Sequence, residues 1–265
     1  MEIAGRKALV TGATGGIGQA IARALHERGA HVVLTGRRVD VLEAIAEELG
    51  DRVEVVPADL SSAQAVRDLV ERAGEVDVLV ANAALPGSGE VVEYSPEEID
   101  RTIDVNLRAP MQLARALVPG MIERGSGHLV FVSSMSGKVS LGGGAIYSAT
   151  KFGVRAFAFG LRDDLRGTGV GATTVFPGFI SEAGMWAETG LDLPPGVKMR
   201  TPEQVAAAVA KGIERDRAEI DVAPLSLRSG GWIWPIAPNF VARATRLAGG
   251  RRFAREMAEA QRPKR

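Results

Sequence analysis

Tyr147-Ser148-Ala149-Thr150-Lys151 holds a phenol and an ammonium four residues apart, a spacing that places both on one face of a helix. A free phenol, with a pKa near ~10, is a poor proton carrier at neutral pH. A neighbouring ammonium favours the phenolate and lowers that value, and such a pair can pass a proton to or from an alcohol or carbonyl oxygen. The same two residues also fit a tyrosine packed at a helix edge beside a solvated lysine. The second tyrosine, Tyr94, falls in a predicted loop. Ser133-Ser134 closes a β-branched run. A hydroxyl at the carboxyl edge of a strand can donate to a substrate oxygen as charge develops on it. Asn106 interrupts a long helical pattern, where asparagine is unfavourable and marks a kink, an ordered water or a plainly solvated position.

A second constellation could hold an anion. Thr11-Gly12-Ala13-Thr14-Gly15-Gly16-Ile17-Gly18 follows the first predicted strand and opens the first predicted helix. Glycine admits backbone close to a pyrophosphate, and a helix N-terminus offers free N–H groups and partial positive charge. The glycines read either as T-G-x-x-x-G-x-G or as G-x-x-G-x-x-G; a tight strand–helix turn without ligand is the alternative. After the second strand, Gly36-Arg37-Arg38 lacks the acidic residue that commonly binds ribose hydroxyls. Arg37 instead offers a fork of donors for a 2′-phosphate, which favours NADP(H) over NAD(H), unless it is merely solvated. Asp59 ends the third strand and can accept from an adenine amino group. Asn82-Ala83-Ala84 ends the fourth, where backbone would pass an adenosine.

The elements that must position these groups alternate. Strands are predicted at Ala8–Thr11, His31–Thr35, Val53–Pro57, Val76–Ala81, His128–Ser133, Val170–Phe176 and Glu219–Val222. Helices are predicted at Gly16–Arg28, Val39–Leu49, Ala63–Ala73, Pro96–Glu123, Ser148–Arg166 and Pro202–Arg215. The nearly all-apolar strands suit a parallel sheet covered on both faces, and right-handed crossovers then give a doubly wound, Rossmann-type α/β fold. Glu182–Arg200, with Pro194-Pro195-Gly196, reads as a long loop near a site. Leu225–Asn239, with Trp232, Trp234, Pro235 and Pro238, reads as irregular.

The 265 residues carry 32 basic and 32 acidic groups, 46% apolar content and no cysteine. This is ordinary globular composition, with no basic surplus for nucleic acid and no thiol for a disulfide, metal or nucleophile. The three histidines, His26, His31 and His128, lack metal-site spacing, and no G-x-S-x-G elbow makes Ser134 a hydrolase nucleophile. No leader-like segment precedes the first strand and no apolar run approaches the ~18 residues of a membrane span, so a cytoplasmic location is expected. The neutral total conceals an asymmetry: residues 226–265 hold nine basic and two acidic groups, +7, against −7 for the rest. A basic amphipathic tail of this kind suits an anionic membrane surface, a subunit neighbour or a frayed end.

The ordered set Thr11–Gly18, Asp59, Asn82-Ala83-Ala84, Asn106, Ser134, Tyr147-x-x-x-Lys151 and Pro177-Gly178 resembles the short-chain dehydrogenase/reductase family in its single-domain form, over residues 5 to about 225. The resemblance implies one NAD(P)-binding catalytic domain, residues 1–225, with residues 226–265 as an extension. It implies Tyr147 as general acid/base, Ser134 polarising a carbonyl, Lys151 lowering the tyrosine pKa and holding the nicotinamide ribose, and Asn106 positioning a relay water. Gly12, Thr14, Gly16, Ile17, Gly18, Arg37, Asp59, Leu60, Asn82, Pro177 and Gly178, with Tyr147 and Lys151, would bind the cofactor. The implied activity is NADP(H)-dependent interconversion of a carbonyl and an alcohol in a homodimer or homotetramer; a cofactor-binding regulator with little turnover is the alternative. The length leaves no room for the longer substrate domain of the epimerase-like branch, which settles the glycine reading. Two positions depart from the family pattern: Ala84 replaces a usual glycine, and Glu182 replaces a usual threonine, for which Ser181 or backbone groups would substitute. Met185 and Trp186 suggest a lipophilic substrate.

Overall fold

The computed structural model describes residues 1–181, 189–191, 198–247 and 249–262, except the side chain of Arg251. Seven parallel strands, β1 (Lys7–Thr11), β2 (His31–Thr35), β3 (Val53–Val55), β4 (Val78–Ala81), β5 (Gly127–Val132), β6 (Val170–Pro177) and β7 (Glu219–Val222), form one sheet in the order β3-β2-β1-β4-β5-β6-β7. The order reverses between β1 and β4, and there the carboxyl ends of the strands open a crevice.

Strand alternation divides the core into two layers. Ala8, Val10, Val130 and Val132 face α1 (Gly16–Glu27), α2 (Val39–Leu49) and α7 (Pro202–Arg215). Leu9, Leu79, Leu129 and Phe131 face α3 (Ala63–Ala73), α5 (Ala109–Glu123) and α6 (Ala145–Asp164) on the other side. Helix starts follow local chemistry. Ser62 and Thr201 cap α3 and α7 through their hydroxyls, with Pro202 opening α7.

Three expectations need correction. The single helix foreseen over 96–123 is divided into α4 (Pro96–Ile103), a five-residue π-helical stretch Asp104–Arg108, and α5. Asn106 lies inside that wider turn, so the kink it foreshadowed takes the form of a π-bulge. The segment read as irregular instead holds α8 (Leu225–Ile233), followed by α9 (Pro238–Leu247) and α10 (Gly250–Gln261). The prolines permit this because Pro235 lies beyond the end of α8 and Pro238 opens α9, where no donor is lost. Some edges also shift: β3 stops at Val55 and α6 begins at Ala145.

The C-terminal helices pack on the body of the fold. Trp234 leans on Phe152 at 5.3 Å between ring centres, Phe253 meets Phe179 edge-on at 5.8 Å, and Ala254 lies over Gly143. Glycine at 249 takes a left-handed conformation (φ 82°) and separates α9 from α10.

Candidate active site

The turn from β1 into α1 has two positions, Gly12 and Gly18, where only glycine fits. A Cβ at Gly18 would stand 2.1 Å from the Gly12 carbonyl oxygen, and Gly12 itself has φ +65° with Ala83 against it. Asn82 fixes the loop from below: its Nδ2 donates to the carbonyls of Thr11 (3.0 Å) and Gly12 (3.3 Å). Thr11 Oγ1 accepts from the N–H groups of Asn82 and Ala83. The N-cap of α1 is Gly15, with no side-chain cap and no acidic residue in the first turn. Its leading N–H groups are thus left for an anion.

The loop forms one end of a cavity of about 840 Å³ that runs along the carboxyl ends of the strands. Gly12, Thr14, Gly16, Ile17, Gly18, Arg37, Asp59, Leu60, Asn82, Ser134, Tyr147, Lys151, Pro177 and Gly178 all line it. Arg37 stands exposed at its rim, with no hydrogen bond or ion pair among the described residues. Asp59 accepts from the N–H (3.0 Å) and hydroxyl (2.9 Å) of Ser61. Burial would raise the Asp59 carboxyl, but the Ser61 bonds, with Arg37 and Arg101 nearby, hold it below its usual value.

Asn106 is the exception. Its buried side chain does not reach the cavity. Its Oδ1 accepts from Leu85 N–H at 2.7 Å, and its Nδ2 donates to the Leu85 carbonyl at 3.0 Å and Thr150 Oγ1 at 3.4 Å. It is thus neither solvated nor a wall residue; it pins the segment after β4, and Leu85 in that segment lines the cavity.

Tyr147 and Lys151 project from one face of α6, and Ser134 sits just past β5. The Tyr147 side chain hydrogen-bonds Ser134, and burial nevertheless pushes its phenol up to about 12. Lys151, 2% exposed, donates from Nζ to the Val132 carbonyl at 3.0 Å. Burial lowers its ammonium to about 8. The expected depression of the phenol by Lys151 is therefore not what this geometry gives. Desolvation is the larger cause, ahead of the Ser134 bond, and Lys151 Nζ stands 5.6 Å from the ring centre. Gly87 admits this arrangement, because a Cβ there would meet Tyr147 Cβ at 2.8 Å.

Sequence reasoning missed several wall residues. Arg38 donates to the Thr14 carbonyl at 2.6 Å and braces the glycine loop, and Arg101 reaches the cavity from α4. Met257 and Gln261 enter from α10. Their distance in the chain leaves no local signal; only the path of the C-terminal helices brings them there. Ser181, offered as a substitute contact, donates to the Arg200 carbonyl at 3.3 Å and does not line the cavity. Glu182, Met185, Trp186 and Pro194-Pro195-Gly196 lie outside the described residues.

A family model for short chain dehydrogenases matches residues 6–193. The chain belongs to the short-chain dehydrogenase/reductase family. It is 37% identical over 226 residues to an uncharacterised oxidoreductase of Staphylococcus aureus, covering 83% of this chain and 96% of that one. It is 36% identical over 227 residues to the ketoacyl reductase HetN of a Nostoc species, covering 83% and 79%. Among solved structures, a closed serine dehydrogenase complexed with NADP+ superposes with a TM-score of 0.75 at 31% identity, covering 83% of this chain and 95% of that one. Family membership makes this short-chain dehydrogenase/reductase an oxidoreductase with a nicotinamide dinucleotide as cofactor. The uncapped helix start and the cradle that a Cβ would fill fit such a group.

Proposed function

We propose that this chain is an NADP(H)-dependent enzyme that interconverts a carbonyl and an alcohol, with the catalytic and cofactor-binding residues within 1–225 and α10 adding to the cavity wall. The observation that carries the reading is the convergence of Ser134, Tyr147 and Lys151 on one cavity whose other end is the glycine cradle. The bound dinucleotide supplies or accepts a hydride. Gly12, Thr14, Gly16, Ile17 and Gly18 would hold its pyrophosphate, Asp59 and Leu60 its adenine, and Asn82 keeps that loop in shape. Arg37 would hold a 2′-phosphate through charge-assisted hydrogen bonds. Pro177 and Gly178 would flank the nicotinamide.

In the reductive direction Tyr147 is the proton donor. A phenol pushed up to about 12 stays protonated at neutral pH and has its proton to give. Ser134 would turn its single hydroxyl proton from Tyr147 to the substrate oxygen and so act as a second donor there. Lys151 stands charged below about pH 8, anchored on Val132, and favours the phenolate left after transfer. Asn106 acts as a positioning residue through Leu85. The apolar walls from Leu85, Phe179, Ile180 and Met257 support a lipophilic substrate.

The reading is tested by following NADPH and NADH consumption across a panel of aldehydes and ketones of graded size. Turnover with NADPH, strongest for apolar substrates, is expected. Tight NADPH binding without turnover anywhere on the panel would instead make the chain a cofactor-binding regulator. Activity confined to small charged carbonyls would reject the lipophilic assignment.

A further inference from the structure

From Leu225 to Arg255 the chain holds six arginines, Arg228, Arg243, Arg246, Arg251, Arg252 and Arg255, and no acidic residue. On α8, α9 and the turn joining them, large apolar side chains face outward rather than into the body. Ile236 is 86% exposed, Leu247 81%, Phe240 66% and Trp232 55%. No residue of α9 is buried. Phe240, Arg243 and Leu247 recur at helical spacing, so apolar and cationic groups share one exposed side, with Arg246 also exposed.

We propose that α8 and α9 form a docking surface for an anionic lipid bilayer. The combination is what such a surface needs. Trp232, Ile236, Phe240 and Leu247 can enter the boundary between headgroups and acyl chains, while Arg243 and Arg246 keep their charged ends among the phosphates. Each arginine near an anionic surface strengthens attachment, and the attraction is screened by salt. No helix among the described residues is long and apolar enough to cross a membrane, so the contact is peripheral. Charge argues against a second copy as the occupant. A two-fold contact through this patch would set Arg243 and Arg246 of one subunit against those of its mate, with no carboxylate on α8 or α9 between them. The surface also adjoins the site: α10, next in the chain, supplies Met257 and Gln261 to the cavity wall. The proposal stands on the surface alone and does not depend on the assigned reaction.

The test is flotation of the full chain with vesicles of phosphatidylglycerol and phosphatidylcholine in equal parts, against phosphatidylcholine alone, at low and high salt. Recruitment to the anionic vesicles that high salt reverses is expected. Arg243→Gln with Arg246→Gln should weaken it about thirtyfold, roughly fivefold for each charge removed. A triple variant, Trp232→Ser, Ile236→Ser and Phe240→Ser, should lose recruitment while keeping its NADPH binding and thermal unfolding midpoint. Full recovery of the native chain in the soluble fraction would overturn the proposal, as would recruitment that survives in both variants. A native chain that ignores vesicles while the triple variant falls to a smaller species by light scattering would make this face a subunit interface instead.

Discussion

Lys151 Nζ lies 5.6 Å from the centre of the Tyr147 ring and gives a hydrogen bond to the Val132 carbonyl, not to the phenol. The ammonium is thus anchored to the end of β5 and acts on Tyr147 across a gap. Its burial sets a pH limit. A lysine brought down to about 8 loses its charge as pH rises through 8, while a phenol pushed up to about 12 remains protonated. The rate of carbonyl reduction should therefore fall above about pH 8, through loss of the positive charge rather than of the donor proton. A pH–rate profile measured with saturating NADPH checks this, and a flat profile to pH 10 would contradict it.

Arg37→Ala should raise the Kd for NADPH about tenfold to a hundredfold, the range of one charged hydrogen-bonded contact. The Kd for NADH should barely change. Fluorescence titration of both cofactors is the measurement, and an equal loss for both would remove the 2′-phosphate role.

Asn106→Ala should destabilise the fold by about 2–4 kcal/mol, because it leaves the N–H and carbonyl of Leu85 buried without their partners. Denaturant unfolding of the variant reads the cost directly. An unfolding free energy unchanged within error would show that the Leu85 segment satisfies itself in another way.

His128 is 2% exposed and bonds Thr173 Oγ1 at 2.8 Å, and Thr173 in turn donates to the Arg217 carbonyl at 2.6 Å. Thr173 has thus given its proton away, so His128 donates through Nε2. Burial, against a nearby Asp216, lowers the imidazole from its usual 6.5 to about 4. The unfolded chain binds the proton first, so the stability His128 contributes is present above pH 6.5 and is lost as pH falls to 4. The loss is on the order of 3 kcal/mol. Unfolding curves across that range should show it, and His128→Gln should flatten the slope between pH 6.5 and 4.

Much of this was legible in the chain because it is carried by local pattern. Apolar strands alternating with amphipathic helices determine the doubly wound sheet, and the crowding of Gly12 and Gly18 is a property of one short turn. The family motif likewise brought Ser134, Tyr147 and Lys151 together in advance. Other features depend on three dimensions. The i, i+4 spacing of Tyr147 and Lys151 places them on one face but is silent on Val132, which takes the lysine's hydrogen bond. The role of Asn106 depends on Leu85, 21 positions earlier. Met257 reaches the cavity only because α8 and α9 lead α10 back over Gly143, and of the prolines that read as breakers Pro235 lies past the end of α8 while Pro238 opens α9.

The central claim, that Tyr147 moves the proton, is tested most directly by Tyr147→Phe, with turnover and NADPH binding measured on the same preparation. Removing one hydroxyl should lower kcat for carbonyl reduction by about 10²–10⁴-fold and leave the Kd for NADPH within about twofold. A variant that binds NADPH normally and still turns over near the native rate would contradict the account.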